Sequence, residues 1–373
     1  MPDLLFLCRR VPYPPNRGDR IRTWHMLRHL ARRHRVFLGC MVETPGERRW
    51  AGELTQLCAG THLAEPPRHL GPWIAETVAA HRPSHAVAVS TEMAALVPAE
   101  AAPLRRRVVD MVQVESARRR EDAARRRWPF SLAHRRAAHR LLDIERRTAQ
   151  RFDASLFASA REAALFRALA PECAGRVAHV EHGVDTEYFS PARDYPNPFP
   201  NDRKAIVLAG VEDGAGLDGA EWFVREVLPV LRARRLAADL WIVGTDQPAL
   251  RRLVDPPGVT LAAAHVDDLR PYLAHAAVVV APLRRPAVGA CMALEAMAMA
   301  RPVVATPLAL EGPTIAAGRE VAEARDAGGF ALALAAALSG RGAEAMGVRA
   351  RERVVAEHGW RAGLARLDAA LEG

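Results

Sequence analysis

The stretch VVVAPLRRPAVGACMALEAMAMARPVVAT (278–306) runs from a β-branched segment through a Pro- and Gly-containing loop into an apolar helical run, and then into a second β-branched segment. Short apolar runs bounded by turn residues and separated by a helical period read as strand, helix and strand, the repeating unit of a parallel sheet. A helix that starts just after a strand presents unpaired backbone N–H groups outward, an arrangement suited to a diphosphate. Gly289 lets the backbone approach a ligand without a side chain in the way. Glu295 follows about one turn into the helix, where a carboxylate can accept hydrogen bonds from ribose hydroxyls. Arg284 and Arg285 precede the helix and can offset phosphate charge. The plain alternative is an ordinary strand–loop–helix with a solvated glutamate.

The same alternation extends in both directions. Before this stretch come strands at 204–210, 239–244 and 259–263, with a helix at 219–234 that Asp218 is expected to cap and another near 268–275. In the first half, strands are expected at 4–8, 35–42, 85–90, 106–112 and 154–159, with helical patterns between them, the first over 19–33. Alternation of this kind predicts parallel sheets covered on both faces. The rhythm breaks in HGVDTEYFSPARDYPNPFPNDR (182–203), rich in Pro, Asp and Asn and without a helical period, which reads as a linker. The expected organisation is therefore α/β: an N-terminal domain over 1–183, a linker over 184–203, a C-terminal domain over 204–345, and closing helices over 346–373.

At 373 residues the chain is long enough for two cores. Half of it is hydrophobic and a quarter charged, a globular composition. No apolar run approaches the roughly 20 residues of a spanning helix, and the N-terminus lacks the basic region and cleavage site of a signal peptide. The five cysteines, Cys8, Cys40, Cys58, Cys173 and Cys291, are scattered without metal-ligand spacing, so buried thiols in a reducing cytoplasm are expected. His25, His29 and His34 share a helical stretch but are expected to be ordinary surface or core histidines. GVEDGAG (210–216) lacks the lysine of a phosphate-binding P-loop. The net charge of +9 is carried almost entirely by arginine and concentrates over 105–147, beside Trp128, Pro129 and Phe130. Such a segment is either a solvated face or a surface for an anionic membrane. No nucleic-acid-binding motif accompanies it.

Several segments together resemble a known family. LEAMAMARPVVAT (294–306) is similar to the donor-site signature of family-4 (group 1) retaining glycosyltransferases, and HGVDTEYFSP (182–191) to their interdomain segment, with His182 in place of an asparagine. VPYPPNRGDRIRTWHMLRHLARRH (11–34) resembles the N-terminal signature of sugar transferases associated with PEP-CTERM/exosortase systems. RRVVDMVQVES (106–116), RRWPFSLAHRR (126–136) and VDDLRPYLAHAAVVVAPL (266–283) are similar to the same subfamily. The resemblance implies a GT-B fold, two Rossmann-like doubly wound parallel-sheet domains facing a cleft. It implies retaining transfer of a sugar from a nucleotide-diphosphate donor, which is a co-substrate, to an exopolysaccharide or lipid-linked glycan. It also implies no tightly bound cofactor or metal, and a cytoplasmic protein peripheral on the inner face of the plasma membrane. By matching position, Arg17 and Gly18 face the donor phosphate and the acceptor, Asp110 lines the acceptor side, Gly210 and Gly244 end strands beside the donor, and Glu295 holds the ribose.

The chain departs from that pattern at four places. Ala287 stands where the family has a glutamate, Met292 where the subfamily has a lysine, and VEDGAGLDGAEWF (211–223) carries no basic residue. The acidic cluster after Asp110 becomes Gln113 and Glu115. A lost charge-assisted hydrogen bond costs about 1.5–3 kcal/mol. The alternative reading these departures motivate is a degenerate, non-catalytic GT-B protein that binds a glycan or a partner.

Overall fold

The computed structural model describes the chain except for residues 16–17, 66–69, 99–102, 126–129, 212–213, 245–247, 255–256, 263–265, 267, 286–290, 311–314 and 341. The chain forms two compact units. Unit 1 comprises Met1–His182 together with Gly363–Gly373, and unit 2 comprises Gly183–Ala362.

Unit 1 is built on seven strands: β1 (Asp3–Cys8), β2 (Arg35–Met41), β3 (Gly60–Ala64), β4 (His85–Val89), β5 (Arg106–Val112), β6 (Ala154–Phe157) and β7 (Val177–His179). They pair in the order β3-β2-β1-β4-β5-β6-β7, every pair parallel. The order runs one way from β1 to β3 and the other from β4 to β7, so it reverses between β1 and β4. On one face Leu5, Leu7, Ala86, Ala88, Val109 and Phe157 pack under the helices. Residues 363–373 return to this unit at the end of helix Trp360–Glu372. There Asp368 meets His29 at 2.8 Å and Arg33 at 2.9 Å, and Arg106 donates to the Ala370 carbonyl.

Unit 2 holds β8 (Lys204–Ala209), β9 (Ala238–Val243), β10 (Val259–Ala262), β11 (Val278–Ala281), β12 (Val303–Ala305) and β13 (Ala322–Glu323), all parallel, in the order β10-β9-β8-β11-β12-β13. The central strands β8, β11 and β12 are buried on both faces, which is why they read as continuous apolar runs. Ala205, Val207 and Ala209 of β8 face one core, shared with helix Cys291–Ala298 and helix Ala343–Glu357. Ile206 and Leu208 face the other, shared with helix Ala327–Leu338 and the Trp222–Leu231 region.

Asp218 does not cap a helix. The helix starts earlier, at Gly214, and runs to Trp222. It continues through a π turn over Phe223–Val227 into helix Leu228–Ala233. Pro229 lacks the N–H that an uninterrupted α-helix would use at that position, and a wider turn just before it accommodates the loss. Helix Ala327–Leu338, capped by the Asp326 carboxylate on the Gly329 N–H, and strands β3, β7 and β13 were not anticipated from the pattern.

One close approach fixes the Gly214–Trp222 helix against the sheet. A β-carbon on Gly219 would lie 2.4 Å from the Pro282 carbonyl oxygen, directly after β11. Only glycine permits that contact. Gly219→Ala is expected to lower stability by about 1–3 kcal/mol, the usual cost of overpacking, read as a lower urea midpoint at unchanged m-value.

Candidate active site

In a doubly wound sheet, ligands bind beyond the carboxyl ends of the strands where the strand order reverses. In unit 2 that point lies between β8 and β11. Gly210 follows β8 directly and has φ +70°, a left-handed conformation natural only for glycine. Gly244 follows β9 directly, and Ala209 and Val243, the residues before the two glycines, are paired in register. Both therefore stand at the carboxyl edge of the sheet. Two helices begin on either flank of the reversal, at Gly214 and Cys291. Their N-terminal N–H groups and dipoles favour an anion.

Arg285 brings a guanidinium to that edge. Its Nη2 donates to the Gly214 carbonyl, and its Nε lies 3.8 Å from an Asp218 oxygen. The 211–223 segment has no basic residue of its own, and here one is supplied from the loop after β11. Arg284, its exposed neighbour, lies over the Trp222 ring with its guanidinium carbon 5.7 Å from the ring centroid. Of the two arginines, Arg285 reaches the helix start. Met292, where a lysine was expected, points at Gly210: a β-carbon there would be 3.0 Å from its methyl carbon. Gly289, Ala287, Glu212 and Asp213 lie outside the described residues.

Glu295 is buried in helix Cys291–Ala298. Burial pushes the nearby Tyr188 phenol up, and the carboxylates of Asp268 and Glu295 add to this against the opposing pull of Arg270. Arg270 binds Asp268 through two hydrogen bonds of 2.7 and 2.8 Å and stacks 3.8 Å from the Tyr188 ring centroid. Against the cost of burial, those hydrogen bonds hold the Asp268 carboxyl below its usual range. Sequence reasoning did not single out this aromatic–arginine cluster. The signal available was a pair of tyrosines in a segment treated as a linker.

In unit 1 the order reverses between β1 and β4, so the loop after β1, which holds NRGD (16–19), leaves the sheet at the corresponding point. Arg17 lies outside the described residues, and Gly18 is the first residue of helix Gly18–Leu30. Asp110, which the resemblance places on the acceptor side, has no solvent exposure, and both its oxygens accept from Arg22 at 2.7 and 2.9 Å. Arg22, itself 1 % exposed, also donates to the Val180 carbonyl at 2.6 Å. The carboxylate is saturated by a guanidinium fork and anchors β5 to the first helix and to the strand end at Val180. Arg22 was missed because its partner is 88 residues away in sequence.

Two more residues mark this edge. Ser90, directly after β4, has φ +92°, and Val112, at a bulge ending β5, has φ +65°. Neither is glycine, and Val112 is β-branched, so each conformation costs about 1–3 kcal/mol, strain typically found at functional sites. His182 follows nearby with its ring nitrogens buried. Burial, reinforced by the Arg22 charge, pushes its imidazole down to about 3.

Residues 203–340 match the model of the glycosyl transferases group 1 family. Unit 2 carries a group 1 glycosyltransferase domain. No curated protein matches the sequence. Among solved structures, the chain resembles a glycosyltransferase from Rickettsia africae at TM-score 0.71 and 14% identity, covering 100% of this chain and 98% of that one. It resembles sucrose-phosphate synthase from Thermosynechococcus elongatus at TM-score 0.70 and 17% identity, covering 99% and 98%. It resembles the Anabaena protein HepE, solved in complex with UDP and glucose, at TM-score 0.67 and 13% identity, covering 100% of each. The fold of this glycosyltransferase-like chain is GT-B, with two Rossmann-like parallel-sheet units. Among the described residues, no group of three or more His, Cys, Asp or Glu side chains is placed to hold a metal ion.

Removing one partner of a buried ion pair strands the other charge. Asp110→Ala is therefore expected to lose about 3–5 kcal/mol in chemical unfolding, while the double replacement Arg22→Met with Asp110→Leu recovers most of that loss. His182 makes a separate prediction. With its folded value below the unfolded one, the unfolded chain binds the extra proton between about pH 6.5 and 3, so its contribution is full above pH 6.5 and is lost on acidification through that window. The pH dependence of the unfolding midpoint over this range is expected to flatten in His182→Asn.

Proposed function

We propose that the protein transfers a sugar, with retention, from a nucleotide-diphosphate donor to an exopolysaccharide or lipid-linked glycan, as a member of the PEP-CTERM/exosortase-associated subfamily. The observation that carries this reading is the convergence of two helix starts, Gly210 and the Arg285 guanidinium at the strand-order reversal of unit 2, within the segment that matches the group 1 glycosyl transferases. As the bond between sugar and diphosphate breaks, the leaving group gathers negative charge. Donors already oriented toward that charge lower the barrier. On this reading Arg285 takes over the role of the basic residue that the 211–223 loop lacks, and Glu295 receives the ribose hydroxyls. The segments at 11–34 and 106–116 support the subfamily. The complexes of HepE with UDP and UDP-glucose make uridine nucleotides the first donors to try.

Calorimetric titration with UDP, GDP and their sugar conjugates tests the reading. Micromolar binding of one nucleotide is expected. Glu295→Ala is expected to abolish it, and Arg285→Ala to weaken it about tenfold or more, in line with the loss of a charged hydrogen bond. Absence of binding to every nucleotide by the folded protein would instead support the non-catalytic reading, and wild-type affinity in Glu295→Ala would place the donor elsewhere.

A further inference from the structure

We infer that helix Phe130–Arg151 of unit 1 is a docking face for an anionic membrane surface. Ala138, Thr148 and Ala149 of this helix are buried, and Glu145 locks it to the neighbouring helix Glu115–Arg125 by accepting from the Ser116 N–H at 3.1 Å and its hydroxyl at 2.5 Å. The buried face is therefore fixed, and the opposite face is fixed with it. That opposite face carries Leu132, Arg136, Arg140, Ile144 and Arg147, spaced three or four residues apart and all exposed. Residues at this spacing share one side of a helix, and the run from 132 to 147 spans about 22 Å.

Three features of this face point to a lipid surface. First, it is net positive: Arg136, Arg140 and Arg147 share it with a single exposed carboxylate, Asp143. Among the described residues, no carboxylate pairs with Arg135, Arg136 or Arg140, although many other arginines of the chain have such partners. Second, Arg136 and Arg140 are like charges four residues apart, an arrangement that weakens an isolated helix by a few tenths of a kcal/mol. Helix stability therefore does not account for it, and an anionic surface does. Third, Leu132 and Ile144 are 44% and 40% exposed among the arginines. Cationic and apolar side chains on one helix face match the boundary of an anionic bilayer, where headgroups meet the charges and the acyl region takes the apolar groups. A soluble polyanion would satisfy the arginines and leave the two apolar side chains in water. No described helix is long and apolar enough to cross a membrane, so contact through this face is a surface attachment.

Co-sedimentation of the full chain with vesicles tests the inference and does not depend on donor binding. Binding is expected to vesicles of equimolar phosphatidylcholine and phosphatidylglycerol, to be absent with phosphatidylcholine alone, and to fall as salt rises. Replacing Arg136 and Arg140 together by glutamine is expected to weaken partitioning about 30-fold, at the usual contribution of a basic residue near an anionic surface, while the two-lysine variant retains it. Replacing Leu132 and Ile144 by serine is also expected to weaken it. All of these side chains are exposed, so an unchanged circular dichroism spectrum and melting temperature verify the fold. Failure to bind the anionic vesicles, or equal binding by the glutamine variant, overturns the inference. Vesicle binding indifferent to the serine replacements, and matched by binding to soluble polyphosphate, also overturns it, in favour of a simple polyanion site.

Discussion

A fully buried charge pair is the constraint on which unit 1 depends. Arg22 and Asp110 are removed from water together, and each is tolerable there only because the other is in place. The third guanidinium contact, to the Val180 carbonyl, extends the pair to the residues just before the chain leaves the unit. Three segments distant in sequence are thereby held in one geometry: the helix after β1, the end of β5 and the segment after β7. The same cation lies beside His182 and disfavours a second positive charge there. The strained backbone at Ser90 and Val112 flanks this pair in sequence and topology, so a rigid support is present where the chain holds its least comfortable conformations.

Much of this architecture was legible in the residues. The two sheets, their parallel sense and the run of strands in unit 2 follow from apolar stretches separated by helical periods. Gly210 and Gly244 were singled out by the resemblance, and both directly follow strands of unit 2. What was not legible depended on tertiary partners. Nothing local shows that Asp110 is saturated by Arg22, that Arg285 folds onto the Gly214 helix start, or that Arg270 stacks on Tyr188. Short strands such as β7 and β13 have too few residues to establish a period. Asp218 looked like a cap because it precedes an amphipathic run, yet the Gly-rich segment before it was already helical. Ser90 and Val112 adopt positive φ with side chains that ordinarily avoid it, so their strain leaves no mark in composition.

The carboxyl edge of unit 2 takes its cation from a segment distant in sequence. The first loop of unit 2 has no cation of its own, and the guanidinium that meets its helix comes from the loop after β11 across the strand-order reversal. The contact is possible because those two loops are spatial neighbours in any sheet of this order, whatever their sequence separation. Met292 then packs toward Gly210 and makes that part of the edge apolar. A comparison of motifs position by position registers two losses there, whereas the three-dimensional edge still contains a cation at the start of a helix.

The return of residues 363–373 to unit 1 bears on how the protein is made. Synthesis proceeds from the N-terminus, and domains generally fold in the order in which they emerge. Here unit 2 is inserted in the sequence of unit 1, so the Asp368 contacts to His29 and Arg33, and the Ala370 contact to Arg106, form only after all of unit 2 has been translated. The first unit to begin emerging from the ribosome is thus the second to be completed, and during translation the edge that receives these residues waits for a segment more than 180 residues downstream of the unit's first part.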